Sequence, residues 1–491
     1  MLYFYISDSS MTNIHQQIGD LFHSFSKENI SMIEKLPQSG SDRTYFRIHC
    51  ENGNRFIATC NSNIAENQTF HYFSDHFKSK GIPVPDVLAI NNHKDIYIQS
   101  DLGDQTLLHK LESEGYTDAV FESFQKSLSG LAMLQTMGDQ GLDYSKCITS
   151  QHFGQQAIMS DMLYFKYYFL DTLKLPYDKE KLYQEMEFLS YSLMAPAFQY
   201  FMFRDFQSRN IMVVGKDVYF IDFQGGMKGA LQYDVASLLW QAKANLSDEW
   251  KEKLLNHYLV EIRKYINPEF SDDEFYDVYK GYVLIRLLQV LGAYGFRGLF
   301  ERKAHFLTSI PLALKNLKHF IAIHPIDPNL TVLHQLLNRI TENDIIERFE
   351  NTKANEKTPL IVRINSFSYI RNGYPEDPTK NGGGFVFDCR GILNPGRIEA
   401  YKKQSGLDKP VKTFLEEQTK MPEFLNSIYQ IVDIAVENYL SRDFESLEIN
   451  FGCTGGQHRS VYAAEAVNRH LKNKFSVKTE INHLNREQWV K

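Results

Sequence analysis

Short apolar runs broken by turn residues, with one helix-like stretch among them, occupy the chain from about Thr12 to Ile98. YFRIHC, RFIATC and DIYIQS read as strands and ENGN, Glu51 to Asn54, as a hairpin turn. GIPVPDVL, Gly81 to Leu88, is predicted to be extended, because Pro83 and Pro85 forbid helix there. From Leu107 to about Leu336 apolar positions recur at helical spacing, as in VFESFQKSLSGLAML. The polar stretch ending at Pro359 reads as a short helix fading into a linker. Beyond it IVRINSFSY, FVFDCR and SLEINFG are strand patterns, with helices expected near Phe424 to Tyr439 and from Val461. The pattern predicts a β-rich lobe over 12–101, a helical lobe over 102–345, a linker over 346–359 and a separate α/β domain over 360–491.

Composition changes this picture little. At 491 residues, 43% hydrophobic and 23% charged, the chain is long enough for two or three ordinary globular cores. A formal net charge of −7 gives no overall basic field to recruit nucleic acid. Five cysteines, Cys50, Cys60, Cys147, Cys389 and Cys453, lack the spacing of a disulfide framework or a zinc site. They predict a reducing, cytoplasmic setting. MLYFYISDSSMTNIHQQ carries no basic leader, so no signal peptide is expected. Gly281 to Phe296 is the most membrane-like run, but it is short and holds Arg286. We expect it to be a buried helix, with no membrane span.

The chemistry concentrates in FMFRDFQSRNIMVVGKDVYFIDFQ, Phe201 to Gln224. NIMVV and VYFID are two short strands joined by the turn GKD. Asn210 then sits where a loop enters the hairpin and Asp222 where the hairpin is left. In phosphoryl transfer from ATP, a loop Asp accepts the acceptor's hydroxyl proton. An Asn five positions later and an Asp beyond the hairpin hold Mg2+ against the phosphates. Asp205 is the expected base, with Asn210 and Asp222 the metal-binding residues. The segment resembles the aminoglycoside/choline phosphotransferase family, which implies a bilobal α+β protein-kinase-like domain. It is most similar to kinases of the anomeric hydroxyl of N-acetylmuramate and N-acetylglucosamine. QYDVASLLW, Gln232 to Trp240, matches the following family motif. By that match Asp234 braces the catalytic loop, with Arg204 beside the base as a further support. The family's His-Arg-Asp reads Phe203-Arg204-Asp205 here.

Upstream, SGSDRTYFRI, Ser39 to Ile48, has the composition of a phosphate-covering turn, with Gly40, Ser41 and Arg43 as candidate nucleotide contacts. The third-strand lysine of kinases is missing. No lysine occurs between Lys35 and Lys78, and Thr59 stands where it would fall. Arg43 or Arg47 is left to supply the charge, and Glu66, without a lysine partner, reads as a helix-start carboxylate. QSDLGDQTLL, Gln99 to Leu108, resembles the family's hinge, where backbone groups around Gln99 and Asp101 would meet adenine. Asp104 also reads as a helix cap. The aromatic segment Ala157 to Asp171 suits either a sugar face or a core.

NFGCTGGQHRSVYAAEAV, Asn450 to Val467, reads as strand, glycine-containing loop and helix start, an arrangement that aims N–H groups at an anion. Gly455, Gly456, His458 and Arg459 are the candidates, Arg459 as a bidentate partner. Cys453 and Arg459 also have the Cys, five residues, Arg spacing of a phosphatase loop. The wider stretch GCTGGQHRSVYAAE resembles the C-terminal domain of RapZ, the RNase adapter protein. FVFDCRGILNP, Phe385 to Pro395, matches that domain's second motif. The resemblance implies binding of a phosphorylated amino sugar by Cys453, Thr454, Gly455 and Arg459, with Arg390 and Asn394 nearby. It also implies RNA and protein partners. The family's ligand-site His is Gly396 here, and the tail INHLNREQWVK lacks a cationic cluster, so RNA attraction is expected to be weak.

The sequence thus predicts an ATP- and Mg2+-dependent kinase of a small-molecule sugar acceptor, fused to a phosphosugar-binding domain. Two alternatives stay open: a non-catalytic nucleotide-binding regulator, and a cysteine-dependent phosphatase at Cys453.

Overall fold

The computed structural model describes all residues except 1–7, 37–42, 195–197, 267–269, 302–303, 351–352, 378, 380–383 and 491. The chain divides into two compact units, Met1–Phe349 and Glu350–Lys491.

The first unit opens with helix α1 (Asp8–Phe25) and the strands β1 (Ile30–Lys35), β2 (Thr44–Cys50) and β3 (Arg55–Cys60). Helix α2 (Ile64–Ser79) and strands β4 (Val87–Ile90) and β5 (Ile96–Ser100) complete the lobe. The sheet is antiparallel in the order β1-β2-β3-β5-β4. Alternation gives it two faces. Phe46, Ile48, Cys50 and Ala58 pack with Ile18, Leu21 and Phe22 of α1 in a small core of their own. Tyr45, Thr59 and Tyr97 stand opposite one another on β2, β3 and β5, on the other face. The β-type patterns read in the sequence as YFRIHC, RFIATC and DIYIQS are β2, β3 and β5.

The helical lobe contains α3 (Leu107–Glu114), α4 (Asp118–Asp139), α5 (Gln155–Tyr168) and α6 (Lys179–Leu193). Four short strands follow: β6 (Gln199–Met202), β7 (Ile211–Val214), β8 (Asp217–Phe220) and β9 (Met227–Ala230). They form the pairs β6–β9 and β7–β8. Helices α7 (Leu231–Leu239), α8 (Asp248–Ile262) and α9 (Asp272–Tyr294) come next, before shorter helices that end at Glu347. Helix α9, with the turn that follows it, is long and apolar enough to cross a membrane by length and composition. It is instead a core element, with Tyr282, Ile285, Leu288 and Leu291 all fully buried. Gly292 lets it approach α5 closely, since a Cβ there would lie 2.8 Å from the Phe165 nitrogen.

The second unit is a parallel sheet in the order β11-β12-β10-β13, made of β10 (Ile361–Ser368), β11 (Gly384–Asp388), β12 (Ser446–Cys453) and β13 (Lys478–His483). Helices Met421–Ser441 and Arg459–Phe475 supply the crossovers that parallel pairing requires. Its core, from Leu360 to Val477, is its own. The expected linker 346–359 is corrected in part. Ile346 is buried in the first core, and the Ala354 N–H donates to the Phe475 carbonyl at 2.7 Å in the second unit. Apolar contact and an available carbonyl draw these residues out of a free linker.

Candidate functional site

The β7–β8 hairpin sets the geometry of the first site. Its register pairs Ile211 with Phe220, and the Ile221 N–H donates to the Asn210 carbonyl at 3.0 Å. Asn210 and Asp222 are therefore held side by side at the open end of the ladder. The Asn210 amide donates to the Asp205 carbonyl at 2.9 Å and approaches the Asp205 carboxylate at 3.3 Å. The structure thus gathers Asp205, Asn210 and Asp222, from three positions in the sequence, around one hairpin mouth. Asp222 sits at φ 71° and Arg204 at φ 80°, left-handed conformations that cost energy for side-chain-bearing residues and collect at functional sites.

The loop is braced from below. Asp234, fully buried in the first turn of α7, accepts the Phe203 N–H at 2.7 Å and the Arg204 N–H at 2.9 Å. Gln135 donates to the same carboxylate at 3.3 Å. Burial pushes the Asp234 carboxyl up to about 7 against these donors. Arg204 grips Asp161 of α5 through two hydrogen bonds of 2.7 and 2.6 Å and reaches the Tyr233 hydroxyl. Phe203, where the family has His, is fully buried against Phe206, Phe220 and Phe223. The ring fills apolar space while its backbone N–H carries the support.

Asp205 is flanked by two cations. Arg286 of α9 donates to it at 2.9 Å and Arg209 at 3.0 Å, with the Gln207 amide at 2.6 Å. Burial alone would push this carboxyl up; the charges of Arg286 and Arg209 outweigh it and hold the group below the usual carboxylate range. Arg286 is 4% exposed and its Nε is buried without a partner among the described residues. Neither Arg286, Arg209 nor Asp161 emerged as a site residue from the motif. The signal for Arg286 was present as the one charge in the apolar run of α9.

Among the described residues no group of three or more His, Cys, Asp or Glu is placed to hold a metal. Mg2+ bound with a nucleotide needs only one or two protein oxygens besides phosphates and water. Asn210 Oδ1 and Asp222 Oδ2 receive no hydrogen bond among the described residues, while Asp222 Oδ1 accepts from Arg43 at 2.9 Å and from Gln224 at 2.8 Å. The residues present fit such an ion.

The nucleotide candidates separate. Gly40 and Ser41 lie outside the described residues. Arg43 forms an ion pair with Glu66 of α2, so the expectation of Glu66 as a plain helix-start carboxylate is overturned. Arg47 is taken by Asp101 at 2.8 Å and Asp104 at 2.7 Å. The Asp101 side chain is thus occupied within the protein, by Arg47 and by the Gly103 N–H at 2.8 Å. Gln99, near the end of β5, keeps a buried Oε1 without a partner among the described residues. In the aromatic segment of α5, Phe165 and Phe169 are fully buried core residues.

In the second unit the candidates meet because both segments leave the carboxyl edge of the parallel sheet, where such sheets place ligands. Arg390 and Asn394 follow β11; Cys453 ends β12, and the loop runs to the helix Arg459–Phe475. Arg459, 4% exposed, donates through Nη1 to the Arg390 and Ile392 carbonyls at 3.0 and 2.7 Å. Its Nη2 reaches Thr454 Oγ1 at 3.4 Å, and its Nε is buried without a partner among the described residues. Cys453 Sγ accepts the Gly456 N–H at 3.2 Å and lies 3.1 Å from Ser460 Oγ. Gly456 needs its φ of 66° to make this turn. Thr454 and Gly455 form the exposed lip. The Arg390 side chain turns away to Asp388 and the ring of Tyr369. Asn394 caps its own turn by accepting the Gly396 N–H at 3.1 Å. His458 is buried, bonded to the Tyr401 carbonyl at 3.0 Å, and burial lowers its pKa. Its ring lies 3.1 Å from where a Cβ on Gly396 would stand, a physical reason for glycine at that position.

Residues 33–268 match the model of the phosphotransferase enzyme family, and residues 360–487 that of the RapZ C-terminal domain. The chain is similar to proteins called nucleotide-binding proteins. It is 34% identical over 177 residues to one of Fervidobacterium nodosum, covering 36% of this chain and 57% of that protein. It is 31% identical over 140 residues to one of Thermotoga neapolitana, covering 28% and 48%. A Clostridium acetobutylicum relative is 30% identical over 182 residues, covering 33% and 60%. The chain therefore spans between 48% and 60% of the length of these relatives. Among solved structures, a choline kinase of Cryptosporidium parvum covers 66% of this chain and 99% of its own, at TM-score 0.46 and 14% identity. A choline/ethanolamine kinase family protein of Mesorhizobium loti covers 66% and 99%, at TM-score 0.42 and 13% identity. Both expected resemblances hold, as does the expected fold: a protein-kinase-like phosphotransferase domain with a β-rich sheet and a helical lobe, then a separate domain on a parallel sheet.

Proposed function

We propose that this chain, a phosphotransferase-family domain followed by a RapZ C-terminal domain, is an ATP- and Mg2+-dependent kinase of an amino-sugar hydroxyl with a fused phosphosugar-binding domain. The observation that carries the reading is the hairpin mouth, where Asp205, Asn210 and Asp222 stand together. Mg2+ would supply neutralisation of the phosphate charge. Asn210 and Asp222 are the residues to hold it. Asp205 orients the acceptor hydroxyl and takes its proton. Its low pKa suits a loose transition state, in which the proton leaves late and a strong base is not needed. Arg204, fixed by Asp161, and Asp234 keep that carboxylate in place. Gln99 Oε1, which has no hydrogen-bond partner among the described residues, and the backbone of the hinge are the proposed nucleobase contacts.

The amino-sugar acceptor rests on the likeness of the motif and on the RapZ-type domain beside it. In that domain we assign anion binding to the loop 453–459, with Arg459 and the lip residues Thr454 and Gly455 facing the ligand. Hydrolysis at Cys453 has less support: the residue is 2% exposed, and Arg459 Nη1 is committed to two carbonyls. The five free cysteines favour a reducing, cytoplasmic setting.

The test is transfer of phosphate from ATP with Mg2+ to a panel of amino sugars. At least one should be phosphorylated, and Asp205→Asn should lower kcat on the order of 10²- to 10⁴-fold while ATP still binds. Transfer only to other alcohols overturns the acceptor assignment. Tight ATP binding with no transfer to any alcohol overturns the kinase reading in favour of a nucleotide-binding regulator.

A further inference from the structure

Kinase sites place a positive charge on the nucleotide phosphates and fix it with a glutamate from the neighbouring helix. Here β3 offers Thr59, a buried hydroxyl that carries no charge. The geometry points to Arg43, just before β2, as the phosphate-binding cation of this chain, with Glu66 as its positioning residue and Asp222 as its alternative partner. This inference rests on the phosphotransferase reading of the first unit.

Four observations carry it. Arg43 precedes Tyr45 by two residues, so it lies on the same face of the sheet, and Tyr45 stands directly opposite Thr59. A long side chain from position 43 therefore serves the region that a lysine at 59 would reach. Glu66 is pre-positioned to receive it. The Glu66 N–H is capped by Asn63 Oδ1 at 3.2 Å, and its Oε2 accepts from Asn61 at 2.9 Å, which aims Oε1 at Arg43 Nη2. Arg43 is 7% exposed, and its other terminal nitrogen, Nη1, donates to Asp222 Oδ1 at 2.9 Å and to the Tyr45 hydroxyl at 3.4 Å. A buried guanidinium thus ends at the carboxylate assigned to the metal. The other arginine of β2 is spent elsewhere: Arg47, on the same face toward the hinge, is bound by Asp101 and Asp104.

The chemistry of the guanidinium explains why an arginine serves here. Its planar fork has five N–H donors in fixed directions, so one nitrogen holds Glu66 while the other meets an anionic oxygen. In this structure that oxygen belongs to Asp222. With nucleotide bound, Asp222 is required for the metal, and Nη1 transfers to a phosphate oxygen. Arg43 is thereby placed to neutralise Asp222 and, where a nucleotide is present, to release it for the metal.

Calorimetric titration of the intact chain with ATP and with adenosine, both with Mg2+, tests the assignment. The cation meets only phosphates, so Arg43→Ala should weaken ATP on the order of 10- to 100-fold and leave adenosine unchanged. Arg43→Gln, a near-isosteric neutral variant, should do the same if the alanine variant is poorly folded. Glu66→Gln should weaken ATP by less, through loss of the clamp, again without moving adenosine. Equal ATP affinity in Arg43→Gln and the unaltered protein overturns the role of Arg43 and leaves the phosphotransferase reading standing. Parallel loss of ATP and adenosine in both Arg43 variants makes Arg43 a folding residue and overturns the inference. If the unaltered protein binds neither ATP nor adenosine, the underlying reading falls instead.

Discussion

At the scale of single residues the site is governed by where charge has been buried. Arg286 enters the floor of the cleft from a helix whose neighbouring positions are apolar, and its guanidinium ends on Asp205 at 2.9 Å. A buried cation beside a carboxylate favours the ionised form, so Asp205 stays a carboxylate through the neutral range and below. Replacing Arg286 with Gln removes one of its two cations while burial remains. The Asp205 carboxyl then rises, and the acidic limb of the kcat/KM profile moves to higher pH. At neutral pH the variant should lose activity mainly in kcat, because the carboxylate has lost part of its orientation. A pH–rate profile of Arg286→Gln with the best acceptor checks this. An unmoved acidic limb would show that Arg286 does not tune the base.

The elements around the loop carry a second titration of opposite sign. Asp234 opens α7 and gathers the Phe203 and Arg204 N–H groups, so one carboxylate ties a helix start to the strained backbone beneath the base. Folded, it holds its proton up to about 7. An unfolded aspartate releases its proton near pH ~4. Between those values the folded chain binds more protons than the unfolded one. The contribution of this group is therefore fully present below the unfolded value and is lost as pH rises through 7. Asp234→Asn should flatten that part of the pH dependence, seen as a smaller drop in denaturation midpoint from pH 5 to pH 8 than in the unaltered protein. An identical drop in both would remove Asp234 as its source. Much of this element-scale picture was legible from sequence, since hairpin chemistry and the turn GKD fix where Asn210 and Asp222 fall. The brace by Asp234 came from a family likeness, and its geometry from packing. What stayed hidden was contributed across the fold. Asp161, Glu66 and Arg286 lie 43, 23 and 81 positions from their partners, and no local pattern signals such pairs. Phe203 replaces the family's His, yet the support at that position comes from its backbone N–H, which every residue but proline supplies.

At the scale of the whole chain, the division of the hydrophobic cores between two units decides what can be separated. The first unit holds the helical-lobe core and the small core under the β-sheet; the second holds its own from Leu360 to Val477, and the chain divides between Phe349 and Glu350. Units that bury their apolar surface separately unfold separately, so a single two-state transition is not expected. A cut between 349 and 350 should give two fragments that each fold. Ligands then act on each unit by mass action: ATP with Mg2+ should raise the melting temperature of 1–349 and leave 350–491 unchanged, while a hexosamine phosphate should do the reverse. At 100 times Kd the stabilisation is about 2.7 kcal/mol, several degrees for the smaller fragment. Differential scanning calorimetry of the full chain and both fragments measures this. One shared transition, or a fragment 350–491 without a cooperative melt, would mean that the second core cannot stand alone. A hexosamine phosphate that stabilised only 1–349 would move the sugar-phosphate site from the loop 453–459 to the kinase cleft, as expected of a bound product.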